Sequence, residues 1–149
     1  MPPTSVASTR RNPGLRSTTL KALLRQALRI LGFPRASVSL VLTGDARIRA
    51  LNRDFLEIDR PTDVLSFPLA EPGDLADRGR DLYLGEIYIS VETARAQAKA
   101  AGRPFRREIA HLVIHGLLHL VGLDHATAAK RRRMRAAESR LLRELGPML

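Results

Sequence analysis

The chain has 149 residues, 44% of them hydrophobic, enough for one domain with its own core. It has no cysteine, which excludes disulfides and thiolate sites and leaves His, Asp and Glu to hold any metal. The formal net charge is +10, from 25 basic residues of which only three are Lys. Such a bias favours phosphate-bearing partners, nucleic acid or ribosome.

No run of about 18 apolar residues is present, so no membrane span is expected. The N-terminus lacks the apolar core of a secretory signal, and a cytoplasmic location is the expectation. Residues 1–17, rich in Pro, Ser, Thr and Arg, read as a flexible basic tail, and residues 18–149 as a single domain. No acidic residue precedes Asp45, a feature shared with organelle transit peptides; a basic N-terminal helix is the preferred reading.

That helix is expected from Thr18 to Leu31, with Leu20, Leu23, Leu24, Ala27, Leu28 and Leu31 on one stripe. Val38, Leu40 and Leu42 alternate with Ser39, Val41 and Thr43 in a half-buried strand. Asp45 can cap a second helix with Ile48, Leu51 and Phe55 turned inward, and Pro61 breaks it. Asp63 to Pro68 reads as a strand, Glu71 to Asp81 as a solvated loop, and Tyr83 to Ile89 as a further strand. Ser90 caps a helix ending near Gly102, and Pro104 suits the first turn of the next, which runs to about Val121. Gly122 ends it, and a last helix spans about Thr127 to Leu145. The order implies an α+β (mixed α/β) domain with three strands, a fourth near the N-terminus being possible, and about five helices.

All four histidines, His111, His115, His119 and His125, fall within fifteen consecutive residues. His115 and His119 are one helical turn apart, so both imidazoles face the same way. Gly122 can turn the chain so that His125 returns to them. Three imidazoles with one open position describe a catalytic rather than a structural zinc site, one Zn2+ per chain at a helix end. Water held there is acidified toward a pKa of about 7. Residues 18–149 are thus expected to be a zinc-dependent hydrolase domain, with His115 counted as catalytic as well as ligating.

The spacing matches the metzincin peptidases except that their general-base Glu is Gly116 here, which argues against a peptidase. Met134 reads as ordinary core, and His111 as a polar residue near the metal, with an outer-shell role or an alternative ligand as the other readings. Asp124 can orient the imidazole of His125 or simply form a turn. Aromatics are 4% of the chain, so base stacking is expected to contribute little and recognition to rest on shape and charge.

The segment from His115 to His125, HGLLHLVGLDH, resembles the HGxLHLxGxDH motif of the YbeY family of bacterial endoribonucleases and ribosomal-RNA maturation factors. Leu51-Asn52 with Phe55, Pro61 to Pro68 (PTDVLSFP) and Leu84 to Ser90 (LGEIYIS) resemble two further motifs of that family, in the same order over about residues 20–145. The resemblance implies a zinc-dependent endonuclease acting on single-stranded RNA, in 3′-end maturation of 16S rRNA and in ribosome quality control. Its implied partners are ribosomal RNA and the small subunit, with no DNA specificity, and its ligand positions fall on His115, His119 and His125. The family's Arg after the aromatic at Phe55 is Leu56 here, and Glu86 stands where Asp is usual.

The chemistry expected is phosphodiester cleavage, by water or by the RNA's own 2′-hydroxyl, with a basic side chain stabilising charge on phosphorus. Arg60 is the catalytic candidate, and Arg103, Arg106 and Arg107 are substrate-binding candidates. Thr62, Asp63 and Ser66 are candidates for the site or for strand entry. The run Lys130, Arg131, Arg132, Arg133 and Arg135 is either a solvated face or an RNA contact. The competing readings are a ribosome-associated assembly factor with little turnover, to which Leu56 lends weight, and a zinc metallopeptidase.

Overall fold

A computed structural model describes residues 2–10 and 15–149. The elements in chain order are β1 (Ser5–Ser8), α1 (Ser17–Ile30), β2 (Ala36–Thr43), α2 (Asp45–Leu56), β3 (Val64–Pro68), β4 (Leu82–Ser90), α3 (Val91–Ala101), α4 (Phe105–Leu120) and α5 (Ala128–Leu145). Short 3-10 turns occupy Pro72–Ala76 and Gly146–Met148. The sheet order is β1-β2-β4-β3, with β1 and β4 parallel to β2 and β3 antiparallel to β4. The architecture is the α+β arrangement expected, with a four-stranded mixed sheet and five helices among the described residues.

The register separates the two faces of the sheet. Leu40 lies beside Ile87 and Leu42 beside Ile89, while Val64 pairs with Ile89 and Ser66 with Ile87. Leu40, Leu42, Ile87 and Ile89 are fully buried on this face, in one core with α1 and α4. The opposite face carries Ser39, Val41, Glu86, Tyr88 and Phe67, polar or half-buried as one solvated side of a sheet should be. Helix α4 is apolar nearly all round: Ile109, Leu112, Val113, Ile114, Leu117 and Leu118 are all buried. It packs against α1, α3, α5, β3 and β4, which makes it the axis of the domain. Truncating one such Leu to Ala costs about 2–5 kcal/mol.

Four expectations are corrected. The N-terminal segment is not wholly a tail: Ser5–Ser8 pairs in parallel with Ser39–Leu42, and Thr9 N–H donates to the Leu42 carbonyl at 2.8 Å. Its four residues bury little side chain, so no hydrophobic period announced it; residues 1 and 11–14 of the expected tail lie outside the described residues. Asp45 is not the cap of α2 but its first residue, where its carboxylate accepts hydrogen bonds from the Ser90 and Thr93 hydroxyls. Helix α2 stops at Leu56, before Pro61: Glu57 takes φ 60° and its N–H bonds the Arg53 carbonyl in an αL closure, with Ile58 N–H reaching the Asn52 carbonyl. Phe55 is 67% exposed rather than inward.

Three of the six aromatic residues of the chain meet on the open face. Phe55 and Phe67 stand edge to face at 5.4 Å between centroids, and Phe67 and Tyr88 at 5.7 Å. They line a second surface groove with Arg47, Leu51, Leu69 and Glu86, on the side of the sheet away from the histidines.

Candidate metal centre and its two clefts

His115 and His119 share one edge of α4, and their Nε2 atoms lie 3.2 Å apart. At Gly122 the backbone enters the left-handed region (φ +95°), a conformation that glycine takes without steric cost. Gly122 N–H bonds the His119 carbonyl, Leu123 N–H bonds the Leu118 carbonyl, and the chain doubles back. This brings the His125 ring to 5.2 Å from both other rings, centroid to centroid. One ligand atom from each of the three residues falls within 4.8 Å of the other two.

The donor set suits a transition-metal ion. Two nitrogens bound to one tetrahedral zinc at 2.0–2.1 Å lie about 3.3 Å apart, close to the separation of the first two rings. His115 is already oriented: Glu138 Oε1 accepts from its Nδ1 at 2.7 Å, which in the neutral ring puts the free lone pair on Nε2. Burial, then the neighbouring His115 and His125, holds the His119 pKa below the ordinary 6.5, so this ring stays neutral and a competent donor at neutral pH. The hydrogen bond from His115 holds the Glu138 carboxyl below its usual value against the opposing effect of burial.

Glu138 is the residue that sequence reasoning missed, although a signal was present. On the otherwise basic α5, Met134, Glu138, Leu141 and Leu145 recur at helical spacing; Met134, Leu141 and Leu145 are buried, and Glu138 is the one acid on that stripe. Of the two roles open to Asp124, orienting His125 or forming a turn, its hydrogen bonds serve the turn. Its Oδ1 accepts from Ala126 N–H at 2.9 Å, the main reason its pKa is lowered, and its Oδ2 lies 3.7 Å from Lys130 Nζ. It builds the turn into α5.

Two clefts meet at His115. The first, about 510 Å3, lies between α3 and α4 and is lined by Asp63, Gln97, Arg103, Glu108 and His111 among others. The second, about 350 Å3, runs between α4 and β3, with Leu56, Asp63, Ser66, Pro68 and His119 in its walls. Asp63 belongs to both: its Oδ1 accepts from Val64 N–H at 2.7 Å and its Oδ2 from the Gln97 amide at 3.3 Å. Ser66 Oγ donates to the Gly116 carbonyl at 2.9 Å, tying β3 to α4 between His115 and His119. A Cβ on Gly116 would meet Ile87 Cγ2 at 2.8 Å and Ser66 Oγ at 3.1 Å, so residue 116 is glycine because the helix lies directly on the sheet.

The arginines expected at the site are only partly gathered there. Arg103 lines the first cleft. Arg106 and Arg107 are exposed on the first turn of α4, and Arg60 is exposed beyond α2, with its carbonyl accepting from the Asn52 amide at 2.9 Å; none of these three lines either cleft. Leu56, 50% exposed, occupies the cleft wall where the resemblance placed an arginine. His111 lines the first cleft, and Met134 is core. Lys130 to Arg133 and Arg135 are exposed on α5, with Arg131 reaching the His125 carbonyl at 3.4 Å.

The sequence matches the family model described as "Endoribonuclease YbeY" over residues 7–146. The chain belongs to the YbeY family. A protein of Desulfitobacterium hafniense named Endoribonuclease YbeY is 50% identical over 115 residues, covering 74% of this chain and 73% of that protein. Its namesake in Moorella thermoacetica is 46% identical over 134 residues, 87% of this chain and 86% of that protein. Among solved structures, the solution structure of TM1509 from Thermotoga maritima superposes with a TM-score of 0.61 at 26% identity, covering 97% of this chain and 92% of that one. The chain is therefore a member of an endoribonuclease family, and the YbeY resemblance drawn from the three motifs holds.

Proposed function

We propose that this YbeY-family chain is a zinc-dependent endoribonuclease that cuts single-stranded RNA and matures the 3′ end of 16S rRNA, with a part in ribosome quality control. The observation that carries the reading is the convergence of three imidazoles at the junction of two clefts, one ring held by Glu138. Bound zinc supplies Lewis-acid polarisation of the scissile phosphate. The chain supplies the rest. Glu138 fixes the tautomer of His115, burial keeps His119 neutral, and the two clefts give an extended strand a place on either side of the reacting phosphate.

Arg103 faces this path, while Arg60, Arg106 and Arg107 are exposed cations around it, suited to phosphates further along the strand. Arg60 and Asp124 retain catalytic roles only as proposals, Arg60 by moving toward the phosphate and Asp124 by holding the turn that carries His125. The net charge of +10 supports ribosomal RNA and the small subunit as partners, and the cytoplasm is the proposed place of action because that substrate is there. No described helix is long and apolar enough to cross a membrane.

A second reading, an assembly factor with little turnover, draws on Leu56, an apolar side chain in the cleft wall next to His115 and His119. One experiment separates the two: purified protein is incubated with precursor 16S rRNA, with and without chelator, beside the His115→Ala variant. Cleavage lost in both controls supports the nuclease; binding with intact RNA supports the factor and removes the enzymatic reading. Cyclic-phosphate product ends would indicate attack by the 2′-hydroxyl, and 5′-phosphate ends attack by water.

A further inference from the structure

Helix α1 presents Lys21, Arg25 and Arg29 at every fourth residue, a basic row along one side of the helix. Arg25 and Arg29 open onto a pocket of about 240 Å3 at the start of β2, which Arg35, Thr4 and Ser37 also line. All three arginines are exposed. Arg35 Nε lies 2.8 Å from Asp81 Oδ1, but no hydrogen bond or ion pair engages the side chain of Arg25 or Arg29 among the described residues. Quieting the end of α1 is left to other groups: the Ala27, Leu28 and Arg29 carbonyls accept backbone N–H groups, and Arg78 donates to the Leu31 carbonyl at 2.7 Å. The segment leading into β1 supplies one wall. Ser37 Oγ donates to the Pro2 carbonyl at 2.6 Å, and Thr4 Oγ1 accepts from Val38 N–H at 3.4 Å. Thr4 is buried, and its own O–H has no acceptor among the described residues, so it is free to donate into the pocket.

We propose that this pocket holds a phosphate of the RNA backbone at a distance from the cleaved bond. Two guanidiniums without acidic partners and a hydroxyl donor match a phosphodiester, whose oxygens accept from guanidinium forks. The wall carries neither an aromatic ring to stack a base nor a carboxylate to repel a phosphate. The pocket is well separated from the histidines. Ser37 pairs with Tyr83 near the start of β4, whereas Ser66, in the metal-side cleft, pairs with Ile87 two strands away. Strand spacing and rise put the two sites roughly 15–20 Å apart. At about 3.4 Å per stacked nucleotide, at least about five nucleotides lie between the phosphate held here and the one that is cut. A contact of this kind carries no base preference; it fixes the register and direction of a long strand. The proposal rests on the ribonuclease reading for its ligand, and adds a second hold on RNA that a short fragment cannot reach.

The test compares the zinc-loaded parent with the double variant Arg25→Gln, Arg29→Gln on two RNAs sharing one cleaved bond, of about four and about sixteen nucleotides, only the longer of which spans both sites. Both side chains are exposed, so the variant should fold as the parent does. KM for the long RNA is expected to rise roughly 2- to 30-fold with kcat kept, and KM for the short RNA to stay. On the long RNA made non-cleavable with 2′-O-methyl groups, fluorescence anisotropy should show the slope of log affinity against log salt reduced by about 1.4, two contacts at about 0.7 each. Thr4→Val leaves the net charge alone and should lower the same affinity roughly 2- to 10-fold. An equal loss on short and long RNA, an unchanged salt slope, or full affinity in a folded Thr4→Val variant would overturn the pocket. Polyglutamate binding lost in the double variant with RNA affinity unchanged would assign it to an acidic protein segment and overturn the RNA ligand. A reduced slope on RNA that is never cut would keep the pocket and overturn the hydrolase reading.

Discussion

Replacing Gly116 by Ala tests whether the metal centre is built by the close seating of α4 on the sheet. On an unpacked helix this change stabilises by about 1 kcal/mol, because glycine is the weaker helix former. Here the added methyl meets Ile87 Cγ2 at 2.8 Å, in the packed interior, and Ser66 Oγ at 3.1 Å and Val64 Cγ2 at 3.2 Å, half-buried in the wall of the second cleft. Overpacking of this size costs about 1–3 kcal/mol, so the net effect is a loss of up to about 2 kcal/mol. For a chain of this length each kcal/mol corresponds to roughly 2–4 °C in Tm. Since residue 116 lies between the two helical ligands, relief by lifting the helix should also move His115 and His119 and weaken metal binding. Calorimetry and a competitive chelator titration read the two quantities. Ile87→Leu removes the β-branch that makes the closest contact, so the double variant should recover part of both losses. A Tm raised by Gly116→Ala, with unchanged metal affinity, would refute the argument.

Glu138→Gln should weaken metal binding by about 10- to 100-fold while leaving the fold intact, since it removes the carboxylate that orients His115; unchanged affinity in a chelator competition would remove that role. The metal-free protein should lose stability in acid in two stages. His119 binds a proton less readily folded than unfolded, so stability falls as pH drops below 6.5; Glu138, depressed from 4.5, loses its contribution as pH falls below that value. A Tm that stays flat or rises from pH 7 to 4 would contradict both directions. Replacing Arg131, Arg132 and Arg133 by Gln should reduce the slope of log affinity against log salt by about 0.7 per lost contact on single-stranded RNA, and a constant slope would show that this face does not touch phosphates.

The helices and central strands were readable because each carries a strong period: the leucines of α1, the alternation in β2 and the apolar wrap of α4. The histidine triad was readable because two members obey helix geometry and the third follows a glycine that can reverse the chain. Strand β1 was legible only as a possible fourth strand near the N-terminus, without bounds, since its stability lies in backbone bonds to β2 rather than in buried side chains. The role of Glu138 was not legible, since it depends on α5 folding back over α4, a long-range contact that spacing within one motif does not encode. The exposure of Phe55 followed from where α2 sits on the sheet: its ring finds Phe67 and Tyr88 at the surface instead of the core.

The bond between Glu138 and His115 would make the C-terminal helix a silent party to any loading of the proposed metal site. An ion held at the proposed site by α4 and the following turn would also strengthen the hold on α5, and by thermodynamic reciprocity anything that pries α5 away would loosen the ion by the same factor. A fully charged pool, at a hundred times the dissociation constant, protects the folded chain by about 2.7 kcal/mol. Starved of its ion, the molecule should open first at this end, and amide exchange along Ala128–Leu145 would serve as a gauge of occupancy without any RNA present.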